Sequence, residues 1–173
     1  MMELKTERLI LRKFSAGDAQ EMFDNWAGDP EVSRHLTWDT HKDTAVTKKI
    51  LEEWSAGYLS ENFYQWGIVF EGKLIGSVGG HDVDKNEKTI SFGYCIGRKW
   101  WGKGIMTEAF SAVVDHWKSL GFKRIWGVHH VDNHASGRVM EKSGLKFEGL
   151  IKHVLCGDRE VKQYAIDMRK KDD

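Results

Sequence analysis

A chain of 173 residues, 40% apolar and 30% charged, is long enough for one domain with a real core and too apolar to stay disordered. Its 26 basic side chains balance 26 acidic ones, which disfavours general nucleic-acid binding, although a local basic patch survives that argument. Two cysteines, Cys95 and Cys156, share no close-spaced metal motif and read as reduced thiols of a cytoplasmic protein, and no apolar run reaches membrane-spanning length. The expectation is a single domain over residues 1–173 with no membrane and no nucleic-acid partner.

In chain order, "RLILRKF" reads as a strand, and "SAGDAQEMF" opens a helix over 15–27 with Ser15 as N-cap. Pro30 in "AGDPE" marks a turn before a longer helix through "KDTAVTKKILEEWSAGYL". "FYQWGIVF" and "KLIGSVGGHDV" are strands joined by "EGK", a hairpin signal. "TISFGYCI" alternates, with Ile90, Phe92, Tyr94 and Ile96 on one face. After Gly104, Phe110, Val113, Val114, Trp117 and Leu120 follow helical spacing, and Gly121 ends the helix. "RIWGVHHV" is a strand, "NHASGRVMEKSG" a short helix opened by Asn133 and closed by Gly144. "LKFEGLIKHVL" and "VKQYAIDMR" are the last strands. Hairpins make most pairs antiparallel, while the strand–helix–strand unit around 89–131 makes one parallel. The economical architecture is a mixed α/β sheet with helices on both faces. Trp54, Trp117 and Trp126 read as core. Trp26, Trp38, Trp66, Trp100 and Trp101 fall near element ends, where aromatic side chains often line clefts, although core filling is the commoner role for each of them.

The stretch "RKWWGKGIMTEAF", residues 98–110, joins strand to helix. The first amide N–H groups of a helix lack internal partners and carry the positive end of its dipole. Gly102 and Gly104 remove Cβ atoms there, and Arg98, Lys99 and Lys103 add charge with no acid before Glu108. A pyrophosphate site needs these features; glycines that merely turn a basic surface loop would show them too. A Walker loop needs G-x-x-x-x-G-K-[ST], and a Rossmann fingerprint needs a third glycine where Thr107 stands, so neither fits.

The motifs resemble the GNAT superfamily of acyl-CoA-dependent N-acetyltransferases over nearly the whole chain. "KWWGKG", residues 99–104, is similar to the family's [QR]-x-x-G-x-[GA] loop, with Lys99 in place of the commoner Gln or Arg. "SFGYCI" resembles the preceding strand, which carries a bulge in the family. "DNHASGRVMEKSGLKFEG" and the opening "LKTERLILRKFSAGDA" resemble the ribosomal-protein N-terminal acetyltransferase (Rim-type) branch. The resemblance implies a mostly antiparallel mixed sheet of about seven strands, splayed at its centre, with about four helices on both faces. It implies acetyl-CoA as co-substrate and no metal, with the option of a homodimer.

By the same resemblance, the amides of Trp101, Gly102, Lys103, Gly104, Ile105, Met106 and Thr107 hold the pyrophosphate, flanked by Lys99 and Lys103. The backbone of Tyr94, Cys95 and Ile96 pairs with pantetheine like an added strand, which satisfies two amides that would otherwise be desolvated. Asn133 and Ser136 contact pantetheine and the thioester, and Arg138 reaches a phosphate.

Acyl transfer to an amine needs a neutral amine, a polarised carbonyl and a proton for the departing thiolate. A backbone N–H near Tyr94 to Ile96 could polarise the carbonyl. Ser136 holds the position proposed to protonate the sulfur in the Rim-type branch, or is a helix-start residue bonding local backbone. Relatives often carry Glu two residues before the Gly-Tyr pair, where Ser91 stands here. His81 and His130 are candidates for a water-mediated relay, each also readable as an ordinary surface histidine. His129, His130 and His134 do not suggest a metal site, because adjacent strand residues point to opposite faces.

A missing carboxylate favours an amine of low pKa. An α-amine at about 7.7–8.0 is roughly a tenth neutral at pH 7, whereas a lysine at about 10.4 is neutral to a few parts in ten thousand. An α-amine or another low-pKa amine therefore needs less base, which agrees with the Rim-type resemblance; that resemblance implies a protein or peptide N-terminus as acceptor, with "SRHLTWD" and Trp38 lining its side of the site. Alternatives are a small amine such as a polyamine, amino sugar or xenobiotic, and a GNAT module that binds acyl-CoA without turnover. A ribosome-associated structural protein is disfavoured by zero net charge.

Overall fold

The computed structural model of the chain describes residues 2–153 and 159–169. Among these residues, eight strands form one sheet: β1 (Leu4–Lys5), β2 (Leu9–Arg12), β3 (Tyr64–Phe70), β4 (Lys73–Asp84), β5 (Thr89–Ile96), β6 (Arg124–His130), β7 (Lys146–His153) and β8 (Arg159–Asp167). Their order is β1-β2-β3-β4-β5-β6-β8-β7, with every neighbouring pair antiparallel except β5 and β6. The sheet thus has the expected mixed character and adds one short strand, β1, to the seven anticipated. Glu71 and Gly72 both take positive φ (50° and 75°), the two-residue turn that the twist of the β3–β4 hairpin favours.

The helices lie on both faces. Helix α4 (Ile105–Ser119) buries Ile105, Met106, Ala109, Phe110, Val113, Val114 and Trp117 against one face, whereas Leu120, expected to continue the stripe, caps the helix and is exposed. Gly121 (φ 89°) ends it as expected. The shorter α5 (His134–Lys142) joins α4 there through Met140, capped by Asn133, whose Oδ1 accepts from the Ser136 N–H at 3.3 Å. On the other face, α3 (Thr44–Gly57) is capped by Asp43 and packs Leu51 beside Phe14 and Trp26.

The segment 15–27 departs from the single helix expected. It divides into a tight turn (Ala16–Asp18), a short α1 (Ala19–Met22) and a wide turn (Phe23–Ala27). The Asp18 carboxylate accepts from the Ser15 N–H at 2.7 Å and pairs with both terminal nitrogens of Arg12, which fixes the start. The wide turn lets Trp26 and Ala27, adjacent in sequence, both reach the core. Pro30 begins a single helical turn, α2 (Pro30–Ser33), rather than only a bend, because Asp29 caps it by accepting from the Glu31 N–H.

One tryptophan sits elsewhere than expected, while two near element ends fill the core. Trp26 and Trp66 are wholly buried with Trp117, and the Trp66 indole donates to the Met2 carbonyl at 2.9 Å. Trp126, expected in the core, lines a cavity instead. Cys156 lies outside the described residues.

The parallel pair decides where that cavity falls. β5 and β6 align only at Thr89–Arg124, Ile90–Ile125 and Ser91–Trp126. Just beyond, the Phe92 ring lies on Gly127, where an added Cβ would come within 2.5 Å of it. The ring is packed in turn against Phe110 at 4.3 Å between centroids, so it has little room to yield. Gly127→Ala is expected to destabilise by about 1–3 kcal/mol through overpacking. In a thermal melt each kcal/mol should appear as a fall of about 2–4 °C; an unchanged melt would show that the ring moves freely.

Candidate active site

Past Ser91 and Trp126 the strands part, and a cavity of about 1060 Å³ runs through the gap from one face of the sheet to the other. Of the residues expected at the site, Tyr94, Cys95, Ile96, Trp101, Gly102, Gly104, Ile105, Met106, Thr107, Asn133, Ser136, Arg138, His81, Ser91 and His130 all line it. Trp38, Lys99 and Lys103 are not among its lining residues. Trp38 turns back onto His41 and the α3-side core, and both lysines are exposed beside the loop. Arg98, read as part of the cationic cluster, is tied instead to Asp29, the cap of α2, at 2.7 Å.

On the α4 face, Gly102 and Gly104 both adopt left-handed φ (74° and 73°), and a Cβ on Gly102 would meet no atom within 4 Å. Gly104 caps α4 without a side chain, so the N–H groups of Ile105, Met106 and Thr107 point out of the helix end. The open space above these amides fits a pyrophosphate. The loop is braced from an unexpected direction. Glu108 accepts from Thr6 Oγ1 at 2.5 Å and from the Arg8 N–H and Nε at 2.9 and 2.6 Å, and Arg8 Nη1 reaches the Lys103 carbonyl. Desolvation would raise the Glu108 carboxyl, but these hydrogen bonds outweigh it and hold it below its ordinary value. The "TER" of the opening motif therefore has a mechanical role that the sequence alone did not disclose.

At the centre, the Tyr94 phenol donates to the Ser136 carbonyl at 2.9 Å and lies 3.0 Å from Ser136 Oγ. Burial pushes the phenol far above its usual range, so it stays protonated. The Ile96 carbonyl, expected to be open to a ligand, already accepts from the Trp101 indole at 2.7 Å. Burial likewise raises the Cys95 thiol to about 11, against a 3.4 Å contact with Ser77 Oγ, which leaves it an unreactive thiol.

The other mouth of the cavity is polar. His35, in the loop after α2, stacks on His130 with centroids 5.2 Å apart, and His130 Nδ1 lies 3.5 Å from Asp132. His129 and His130 point to opposite faces, as strand alternation requires: His129 is buried against Tyr164. Ser91 is buried, and its hydroxyl donates to Asp82 at 2.7 Å. Asp82 and His35 were not singled out in the sequence. The signal for Asp82 is conformational, a non-glycine residue at φ 46° where β4 slips register, and no sequence motif announces it.

A sheet parted between its parallel strands, with a glycine-rich loop and helix start at one mouth, is the architecture of an acyl-CoA-dependent transferase. The family model described as an acetyltransferase (GNAT) domain matches residues 8–146, and the chain belongs to that family and is an N-acetyltransferase. An uncharacterized N-acetyltransferase of Bacillus subtilis, YoaA, is 30% identical over 155 residues, covering 88% of this chain and 87% of the relative. The [ribosomal protein uS5]-alanine N-acetyltransferase of Escherichia coli is 26% identical, covering 95% of this chain and 89% of the relative. A GNAT-family acetyltransferase from Bacillus anthracis shares the fold, with a TM-score of 0.83 at 24% identity over 98% of this chain and 100% of that one. No helix among the described residues is long and apolar enough to cross a membrane.

The loop geometry gives a direct test. Acetyl-CoA should raise the Tm of the wild-type protein by linkage. Gly104→Val, which places a branched side chain at φ 73° over the helix start, should largely abolish that rise, whereas Lys103→Ala should only reduce it. An undiminished ligand-induced rise in the valine variant would remove the phosphate from this loop.

Proposed function

We propose that this enzyme transfers the acetyl group of acetyl-CoA to the N-terminal α-amine of a protein or peptide. The observation that carries the reading is the through-going cavity. Its α4 mouth has the amides and space for a pyrophosphate, and its α2 mouth presents Glu31, Asp82 and Asp132 to an incoming ammonium. The Escherichia coli relative named for an alanine of a ribosomal protein supports the acceptor class. When bound, acetyl-CoA supplies the activated acyl group as a thioester.

The chain's own residues have three tasks in this reading. The free edge of β5 at Tyr94 and Cys95 offers backbone groups to the pantetheine arm and an N–H to the acetyl carbonyl oxygen. Asn133 has its amide nitrogen left for the ligand, since its oxygen caps α5. Ser136 can turn its hydroxyl proton to the departing sulfur while Tyr94 stays bonded to the Ser136 carbonyl. Arg138 is exposed at the cavity wall, within the set available to a phosphate.

A second reading, a small-amine acceptor, is favoured by the stacked His35–His130 pair, which narrows the α2 mouth. A structural neighbour, the microcin C7 self-immunity acetyltransferase MccE, is described in complex with acetyl-CoA and AMP; it has a TM-score of 0.84 over 94% of this chain and 93% of that one, at 21% identity. Thiol release measured across alanine- and serine-initiated peptides, polyamines and amino sugars separates the two. The peptides should lead in kcat/KM by at least about tenfold, a gap of about 1.4 kcal/mol in transition-state binding. A polyamine or amino sugar in the lead would replace the first reading with the second.

For the leaving group, Ser136→Ala should lower kcat by about 10²–10⁴-fold with little change in acetyl-CoA affinity. A variant at nearly full speed would leave Ser136 as a first-turn residue of α5.

A further inference from the structure

The β4–β5 ladder is regular up to the His81–Ser91 pair and resumes at Asp84–Thr89. Two residues of β4, Asp82 and Val83, therefore oppose the single Ile90, and Asp82 takes a left-handed φ of 46° to absorb the extra residue. In a regular strand, neighbours 81 and 82 would point to opposite faces. Here the bulge brings both to the Ser91 face. Asp82 accepts from the Ser91 hydroxyl at 2.7 Å, and the His81 ring leans along β5 until its Nε2 is 3.3 Å from where a Cβ of Gly93 would stand. Gly93 immediately precedes Tyr94, so the imidazole is carried toward the reactive centre and the missing side chain makes its room.

We propose that this bulge builds the proton-accepting site of the reaction: Ser91 and Asp82 hold the acceptor's ammonium, and His81 Nε2 takes its proton. The inference rests on the transfer reading above. The Ser91 hydroxyl spends its hydrogen on Asp82, so its lone pairs face the cavity as an acceptor for an ammonium N–H. One N–H proton passes to His81, leaving a neutral amine and an imidazolium beside the Asp82 carboxylate; the exposed imidazolium returns that proton to water. As the amine nitrogen bonds the acetyl carbon and the C–S bond breaks, a second N–H proton leaves nitrogen and balances the proton gained by the thiolate. An imidazole suits this task better than a carboxylate alone: an ordinary imidazole lies about 1.5 pK units below an α-amine, where an ordinary aspartate lies about 4 units below. His81 and Asp82 are both exposed at the rim of the cavity; the partial desolvation of the ring lying along β5 lowers the His81 pKa, and Asp82 pulls in the opposite direction. His81 therefore stands neutral at pH 7. Among the described residues, the other charged or titratable groups lining the cavity are Glu31, Arg34 and His35 from α2 and the loop after it, Tyr94 and Cys95 from β5, His129 and His130 from β6, Asp132, His134, Arg138 and Lys142 from the following turn and α5, and His153 from β7.

The test is kcat/KM against pH, with an alanine-initiated tripeptide amide as probe. In the wild type the acid limb should fall below pH 6.5, following His81. In His81→Gln it should move up to the amine's own value of about 7.7–8.0, with a loss of about tenfold or more at pH 7 that vanishes at high pH. Asp82→Asn keeps a residue that tolerates left-handed φ. It should shift the wild-type limb further down, because a charge that favours the imidazolium is gone, and should raise the KM for the peptide. A His81→Gln enzyme with an unmoved acid limb, or an Asp82→Asn enzyme whose limb and peptide KM both stay put, overturns the inference and leaves the transfer reading intact. Wild-type enzyme that acetylates only small amines overturns the peptide reading, and the same pH series on the preferred amine then decides the His81 assignment. No transfer to any amine overturns both.

Discussion

The functional architecture depends on a pairing that stops early. β5 and β6 exchange hydrogen bonds over three aligned residue pairs and then separate, and the remaining five residues of β5 run on beside a gap. A strand edge inside a protein ordinarily costs free energy, because backbone N–H and C=O groups taken from water need partners. Here the edge is exposed to a cavity rather than buried against apolar side chains, so a ligand with amides of its own can complete it. The Phe92 ring on Gly127 marks where pairing gives way to space.

Both mouths of the gap are held by elements distant in sequence. At the α4 mouth, Thr6 and Arg8 grip Glu108, and Arg8 also holds the Lys103 carbonyl, so the turn between the first two strands sets the position of the glycine-rich loop about a hundred residues later. At the α2 mouth, Arg98 binds Asp29, tying the loop that follows β5 to the cap of α2. The two clamps fix the loop from either side while leaving its glycines and helix-start amides uncovered. Lys99 and Lys103 stay exposed beside it and can add long-range attraction for an anion without fixing its geometry.

Much of this was legible in the chain. The alternation of "TISFGYCI" and the 3–4 spacing after Gly104 gave β5 and α4 nearly to the residue, because long periodic elements bury whole faces. The glycines of the loop were legible for a similar reason, since left-handed backbone at Gly102 and Gly104 leaves few alternatives. What resisted reading was tertiary. Trp126 reads as core, yet it lines the gap, because β6 loses its parallel partner just beyond it. Arg98 sits in a basic run, but its partner is an aspartate 69 residues away. Ser91 looked like a carboxylate lost from the site; the acid beside it comes from the neighbouring strand, through a register slip that one sequence does not reveal.

The placement of β8 between β6 and β7 bears on how the molecule is born. β6 forms one wall of the gap, and on its other side every residue from Arg124 to His130 is paired with β8. Until β8 has been synthesised and threaded into place, β6 is an open edge with Trp126 and His130 on it, held to the rest of the sheet by three residue pairs. Arg124 then locks the arrangement by reaching Asp167 on β8 and Glu148 on β7 together. The cleft is thus completed only after β7 and β8 have left the ribosome, and a nascent protein short of them carries a sticky sheet edge where the wall of its cleft should be.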